Sequence, residues 1–332
     1  MKIVFYSIHN FEREFLTRAN KEGHELLLLG ARLDRQTVEL AAGADAICIF
    51  VNDDASTPIV ERLAAMGVQY VALRSAGFNQ IDLKRAGELG ISVANVPEYS
   101  PYAVAEHTVA LILALNRRIA RAHNRVREMN FSLDGLVGFD LHGKTVGLVG
   151  LGRIGAVVAR IMHGFGCKLL GHDPNMAPEL ERDLGVRSVD LPTLFAESDI
   201  ISLHAPLMAA TRHLVGAEAI SRMKNGVMLI NTSRGALIDT PAVIQALKSG
   251  QIGFLGLDVY EEEAALFFED RSEQILQDDV IARLLTFQNV LITSHQGFLT
   301  DTALGNIAGT TFLNLNSWAG GERAPHELTG RA

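Results

Sequence analysis

The run Thr145-Val-Gly-Leu-Val-Gly150-Leu-Gly152-Arg-Ile-Gly155 constrains this chain more than any other stretch. A short apolar, β-branched segment leads into Gly150-x-Gly152-x-x-Gly155. A helix-compatible stretch from Ala156 to Phe165 follows, and a strand-like run from Lys168 to His172 ends at Asp173. Strand, tight glycine turn, helix, strand and acid is the order a dinucleotide site requires. Glycines let the backbone turn sharply and approach a pyrophosphate, whose charge rests on the helix N-terminus. Arg153 and Ile154 fall within the turn. Asp173 is placed to accept hydrogen bonds from both adenosine ribose hydroxyls, which favours NAD over its 2′-phosphorylated form.

The fingerprint lies near the middle of 332 residues, so a domain's worth of chain precedes it. Ile3 to Ser7, Glu25 to Leu29, Ala46 to Val51, Tyr70 to Leu73 and Ser92 to Asn95 read as buried strands. Phe11 to Asn20, Asp34 to Ala41, Pro58 to Met66 and Leu83 to Leu89 read as helices. Such repeated βα units predict a mostly parallel sheet covered on both faces. Pro97 and Pro101 interrupt the rhythm, and one long apolar helix is expected from Pro101 to about His123, buried between domains or subunits.

A second alternating series starts at Lys144. Its later strands are expected at Asp199 to His204, Val227 to Asn231, Gly253 to Val259 and Val290 to Thr293. Helices are expected near Leu191 to Glu197, Glu218 to Met223 and Thr240 to Ser249. A last helix, Asp301 to Ala319, is expected to cross back to the first domain. The expected fold is α/β with two doubly wound lobes and a cleft between them, where small-molecule sites concentrate. Residues 1–100 and 299–332 would form one domain and 101–298 the other.

Composition excludes several partners. A formal charge of −8 without a basic cluster argues against nucleic acid. The apolar segment Ala103 to Leu115 contains Glu106 and His107 and is too short to span a bilayer. The N-terminus reads as a first strand rather than a signal peptide, so the expected location is cytoplasmic. Cys48 and Cys167 lie in apolar surroundings and read as buried thiols of a reducing compartment. No cluster has metal-ligand spacing, so no metal is expected.

Three polar residues follow the later strands, where ligands of open α/β sheets bind: Arg234, Glu263 and His295. A guanidinium can hold a carboxylate in two places. An imidazolium can give a proton to a carbonyl oxygen as hydride reaches the carbon, and a neighbouring carboxylate favours the charged ring. Those parts suffice for nicotinamide-dependent reduction of a 2-oxo acid, although spacing alone does not bring them together.

The chain also resembles the NAD-dependent D-2-hydroxyacid dehydrogenases, and most of all their bacterial fermentative D-lactate branch. The resemblance runs through Cys48 to Asp54, Leu73-Arg-Ser-Ala-Gly-Phe-Asn79, Tyr99-Ser-Pro101, Ala105-Glu-His107 and Asn130 to Ser132. It continues with the Gly150 to Gly155 turn, Asn231 to Asp239, Asp258 to Glu263 and His295 to Thr300. Leu266 to Asp270 and Gln277 to Asp279 lengthen the path from Glu263 to His295, as in the lactate-type branch.

The resemblance implies a Rossmann domain inserted into a flavodoxin-like substrate domain. It implies His295 as acid/base, Glu263 as its partner and Arg234 as anchor of the substrate carboxylate and carbonyl. The backbone at Ala76 and Gly77 would also bind the carboxylate, while Tyr99 and Phe298 would line the pocket. Asp258 would hold the nicotinamide carboxamide, and His204, Ala205, Pro206 and Thr232 would line the NAD site. His172 and Gly297 depart from the family, which often has an aromatic residue before the ribose-binding acid and an alanine after the catalytic loop's glutamine.

The expected reaction is pyruvate reduction by NADH to D-lactate in a homo-oligomer, dimer or tetramer, that the apolar helix would help build. Alternatives are reduction of bulkier acids such as phenylpyruvate or 4-methyl-2-oxopentanoate, and an NADH-sensing binding module. A formate-dehydrogenase reading is disfavoured, because that branch pairs its His with Gln where this chain has Glu263.

Overall fold

The computed structural model describes residues 1–263 and 266–330, so positions 331–332 of the expected first domain lie outside the described residues. Two compact units emerge: Met1–Ser100 with Phe298–Ala332, and Pro101–Gly297. The chain thus returns at Phe298, one position before the expected boundary.

In the first unit β1 (Lys2–Phe5), β2 (Glu25–Leu28), β3 (Ala46–Ile49), β4 (Tyr70–Leu73) and β5 (Ser92–Ala94) form a parallel sheet of order β2-β1-β3-β4-β5. β3 is buried throughout and β4 nearly so. Their continuous apolar runs suit strands covered on both faces. The final helix, Asp301–Ala319, packs on helix Asn10–Ala19 and on β4. Phe312 stacks on Phe5 with ring centroids 6.0 Å apart, and Trp318 on Tyr70 at 4.9 Å.

The second unit holds β6 (Thr145–Val149), β7 (Lys168–His172), β8 (Arg187–Ser188), β9 (Ile200–Leu203), β10 (Val227–Asn231), β11 (Ile252–Leu257) and β12 (Val290–Ile292). All pairings are parallel, in the order β12-β11-β10-β9-β6-β7-β8. The chain runs outward from β6 to β8, then returns to lay β9 on β6's other side. That reversal creates a switch point at the carboxyl ends of β6 and β9, where open α/β sheets bind ligands.

Three expectations are corrected. The segment Asp34 to Ala41 contains only a 3₁₀ turn, Val38–Ala41. Asp34 accepts the backbone N–H groups of Gln36 and Thr37 through Oδ1, a local bond that competes with helix. The long helix ends at Asn116, and a separate helix, Ile119–Arg127, follows. Arg118 between them adopts φ 53° and lays its guanidinium over the Phe254 ring at 4.7 Å. The Asn116 amide bonds both the N–H and the C=O of Phe139, fixing the end of the first helix.

Nor is the apolar helix held in reserve for another surface. Pro101–Asn116 packs on helix Arg153–Gly164 and on β10 and β11 within its own unit. Val109, Leu111, Ile112 and Leu115 are buried there. Each such side chain contributes about 1.5–3 kcal/mol on burial, so the helix's apolarity is used within the unit and gives no support to self-association. Among the described residues no helix is long and apolar enough to cross a membrane.

Candidate active site

The glycine turn follows β6 as a sequence of steric necessities. Gly150 has φ +92°, and a Cβ there would come within 2.7 Å of Ala205 N. At Gly155 a Cβ would meet Gly150 O at 2.1 Å. Both positions therefore require glycine for close packing of turn, helix and the loop after β9. Gly152 differs: a Cβ there would enter open space. It heads helix Arg153–Gly164, and with no side chain to cap that end it leaves the first N–H groups facing outward. Open space over a helix N-terminus fits a pyrophosphate.

Asp173, half-buried after β7, accepts Leu151 N through Oδ2 at 2.7 Å and Asn175 N through Oδ1 at 2.7 Å. It ties the second strand's end to the glycine turn. His172 Nδ1 bonds Val189 O at 2.9 Å, which ties the ring to the residue that follows β8. Beyond β9, His204 donates its N–H to Val149 O and bonds Ser202 through Nε2. Burial lowers the His204 imidazole to about 4, which keeps it neutral beside Ala205 and Pro206.

The loop after β10 is braced internally. Asn231 receives Ser233 N and donates to Arg234 O, while Ser233 Oγ donates to Ala205 O. Thr232 Oγ1 lies 2.8 Å from Thr108 Oγ1 on the long helix. At Gly235 a Cβ would strike the Tyr260–Glu261 peptide at 2.1–2.4 Å. Glycine therefore seats the Arg234 loop directly against the segment that carries Glu263, and Arg234 Nη1 donates to Ser233 O. Gly235 was not among the expected site residues, although it lies in the family-like stretch Asn231 to Asp239.

Glu263 and His295 meet. Glu263 Oε1 lies 2.7 Å from His295 Nδ1, and Oε2 accepts Tyr260 N at 3.0 Å. With Nδ1–H given to the carboxylate, Nε2 is the nitrogen left for exchange with a substrate. The two side chains retain 17% and 16% exposure, enough for access without full hydration. His295 takes φ 49°, a left-handed conformation that costs a non-glycine residue roughly 1–2 kcal/mol.

Asp258 supplies the counterforce. Its backbone C=O accepts His295 N at 2.7 Å. Its carboxylate accepts Gln296 N and Gly297 N, each at 2.8 Å, and the Thr293 hydroxyl at 2.5 Å. His107 Nε2 lies 3.3 Å away. Burial opposes charge on Asp258, but the bonds from His107, Thr293 and Gly297 overcome it and hold the acid at about 2.

The remaining expected residues belong to the first unit. Arg74, fully buried after β4, binds Glu12 at 3.0 Å, Tyr6 O at 2.8 Å and Cys48 O at 3.2 Å. Phe5 and Phe50 lie under its guanidinium. Beyond it, Asn95 Nδ2 donates to Ala76 O and Ser75 Oγ to Gly77 O, which commits the carbonyls and turns this loop into a fixed backbone surface. Tyr99 and Phe298 meet edge-to-face with centroids 6.4 Å apart, and Phe298 also touches Phe11 and Phe50. Arg74, Glu12 and Asn95 were not anticipated as supports of the Ala76–Gly77 loop.

Residues 109–297 match the family model described as D-isomer specific 2-hydroxyacid dehydrogenase, NAD binding domain. The chain belongs to the D-2-hydroxyacid dehydrogenase family. It is 52% identical to D-lactate dehydrogenase of Escherichia coli over 99% of this chain and all of that one. It is 50% identical to 2-hydroxyacid dehydrogenase A of Aspergillus oryzae over 96% of this chain and 92% of that one. The apo-structure of the E. coli D-lactate dehydrogenase superposes with a TM-score of 0.90 at 49% identity, covering 99% and 100% of the two chains. The D-lactate dehydrogenase of Aquifex aeolicus, solved with NAD and lactic acid, gives 0.88 at 34% identity with the same coverage. As a D-2-hydroxyacid dehydrogenase the protein is an NAD-dependent oxidoreductase, and its second unit contains the family's NAD-binding domain.

Proposed function

We propose that this dehydrogenase reduces pyruvate to D-lactate with NADH, reversibly. The observation that carries the reading is the 2.7 Å pair of Glu263 and His295, held in the unit that bears the Gly150–Gly155 turn. Full-length similarity to D-lactate dehydrogenases of bacteria adds support.

Bound NADH supplies the hydride. His295 Nε2 gives its proton to the carbonyl oxygen, and Glu263 keeps the ring oriented. Arg234 grips the substrate carboxylate in two places. Asp173 takes the ribose hydroxyls, with Gly150, Gly152, Arg153, Ile154 and Gly155 at the pyrophosphate. His204, Ala205, Pro206, Thr232 and Asp258 border the rest of the cofactor. The family resemblance gives Ala76, Gly77, Tyr99 and Phe298 a substrate-binding role.

NADH oxidation measured across pyruvate, phenylpyruvate and 4-methyl-2-oxopentanoate, with the product's chirality determined, tests this reading. Pyruvate is expected to give the highest kcat/KM and D-lactate as product. Preference for phenylpyruvate would move the enzyme to the bulky-substrate class, and no catalytic turnover with any of them would leave an NADH-sensing role.

We infer also that the protein works in the cytoplasm as a homo-oligomer, through a different surface from the apolar helix. Helix Ile119–Arg127 has no buried residue, and Met129, Phe131, Leu133 and Val137 beyond it are 68–84% exposed. Exposed apolar side chains gathered in one segment favour an interaction surface there. The expected mass in light scattering is a multiple of 36.0 kDa, falling to one copy in Phe131→Asp/Leu133→Asp; a parent protein of one copy overturns the inference.

A further inference from the structure

We propose that His107, on helix Pro101–Asn116, is a positioning residue for His295, acting through Thr293 and Asp258. The inference rests on the reading of His295 as the proton donor. It concerns how that ring is held rather than what it does.

The direction of the hydrogen bonds settles the roles. Thr293 Oγ1 is 2.5 Å from Asp258 Oδ1. A carboxylate accepts only, so the hydroxyl proton is committed to it. The Thr293 oxygen is then an acceptor, and His107 Nε2 lies 3.0 Å from it and 3.3 Å from Asp258 Oδ1. His107 Nε2 therefore carries a hydrogen and donates into the Thr293–Asp258 pair. At the far end Asp258 Oδ1 takes Gln296 N and Oδ2 takes Gly297 N, while its backbone oxygen takes His295 N. One residue thus holds three successive N–H groups, of His295, Gln296 and Gly297.

The held loop is one that does not hold itself. His295 is at φ 49°, a conformation that persists only where surroundings over-determine it. Relaxation toward negative φ would swing the ring away from Glu263. A rigid long helix is a firm anchor against that swing, and His107 is its side chain in contact with the brace. Gly297 is part of the same device. A Cβ there would sit 2.9 Å from Asp258 Oδ2 and 3.5 Å from His107 Cδ2, so glycine lets the carboxylate close on the loop.

The test compares His107→Phe, which keeps a ring and removes the donor, with His107→Gln, which returns an N–H near the position of Nε2. Expected for His107→Phe is a 10- to 100-fold loss of kcat for pyruvate reduction, by analogy with other losses of active-site alignment. The alkaline limb of its pH profile should shift, and NADH affinity by fluorescence titration should stay within about threefold of the parent. His107→Gln should recover most of the kcat. Equal kcat and an unshifted profile in folded His107→Phe would overturn the proposal, as would a loss that His107→Gln fails to restore. His295→Ala is run alongside: if it retains full turnover, the reading of His295 fails instead, whatever His107 does. Circular dichroism melts separate misfolding from misalignment. If His107→Phe does not fold, Thr293→Val carries the same test, with a smaller loss expected.

Discussion

Glu263 Oε1 and His295 Nδ1 lie 2.7 Å apart, joining a turn after β11 to a loop after β12 across 32 residues of sequence. The carboxylate is not free to wander, because its other oxygen accepts Tyr260 N. Glu263→Gln keeps the side chain's size but replaces a charge-assisted bond to the ring by a neutral one, so it is expected to lower kcat/KM for pyruvate reduction. His295→Ala should lose roughly 10²–10⁴-fold in rate. Parent-level kcat/KM in Glu263→Gln would break the functional pairing.

The Asp258 carboxyl titrates at about 2 in the folded unit, against an ordinary 3.8. Because the folded value is depressed, its ionisation contributes stability that is complete above about pH 4. That contribution is lost as the pH falls through 2. A drop of nearly two pH units corresponds to on the order of 2 kcal/mol. Asp258→Asn is expected to be less stable at neutral pH and to show a flatter loss of melting temperature between pH 4 and 2. Parallel acid-denaturation curves for the two proteins would contradict this.

Arg234→Lys keeps a charge but loses the planar fork. A fall in kcat/KM for pyruvate equivalent to about 3 kcal/mol or more is expected, with NADH affinity little changed. Near-parent kinetics with pyruvate would remove Arg234 from the substrate site.

In the first unit Glu12 and Arg74 form a buried ion pair, their side chains 5% and 0% exposed. Arg74 has backbone acceptors as well, but Glu12 is the charge that balances it. Removing one partner of such a pair leaves an uncompensated charge and costs about 3–5 kcal/mol. Glu12→Gln should therefore lower the first unit's melting point substantially in calorimetry. A change of only a degree or two would mean that the carbonyls and aromatic faces around Arg74 suffice.

Much of this fold was legible because its strands announce themselves. The runs at β6 and β10 are mostly apolar, carry β-branched residues and end at a glycine or a polar residue, and helices Leu191–Glu197, Thr240–Ser249 and Asp301–Ala319 have the expected bounds. What escaped was local. Asp278 caps a helix, Asp279–Leu285, by accepting Val280 N and Ile281 N, yet its apolar face is only two turns long. Helix Pro178–Leu184 and the two-residue β8 are too short to show a period. The break at Arg118 depends on Asn116 finding Phe139, a contact that no local pattern encodes. In the site, Arg234, Glu263 and His295 stand out by residue type at strand ends. Their supports do not: Gly235 matters for the atom it lacks, and His107 and Asp258 are joined only by the fold.

Asp173 carries the last prediction, which concerns cofactor choice. Its carboxylate is placed after β7, where a ribose would present its hydroxyls, and it would repel a 2′-phosphate. The parent enzyme is expected to prefer NADH over NADPH in kcat/KM. Asp173 has a second task, since Oδ2 accepts Leu151 N inside the glycine turn. Asp173→Ala should therefore do two things at once: narrow the preference by removing the repulsion, and weaken NADH binding by releasing the turn. Asp173→Asn separates them, because its amide oxygen can still accept Leu151 N while the negative charge is gone. The asparagine variant should bind NADH more tightly than the alanine variant, yet discriminate against NADPH little better than it does. Titrations in which the two variants bind NADH equally would show that the bond to Leu151 does not shape the cofactor site, and equal use of both cofactors by the parent would remove Asp173 from the ribose.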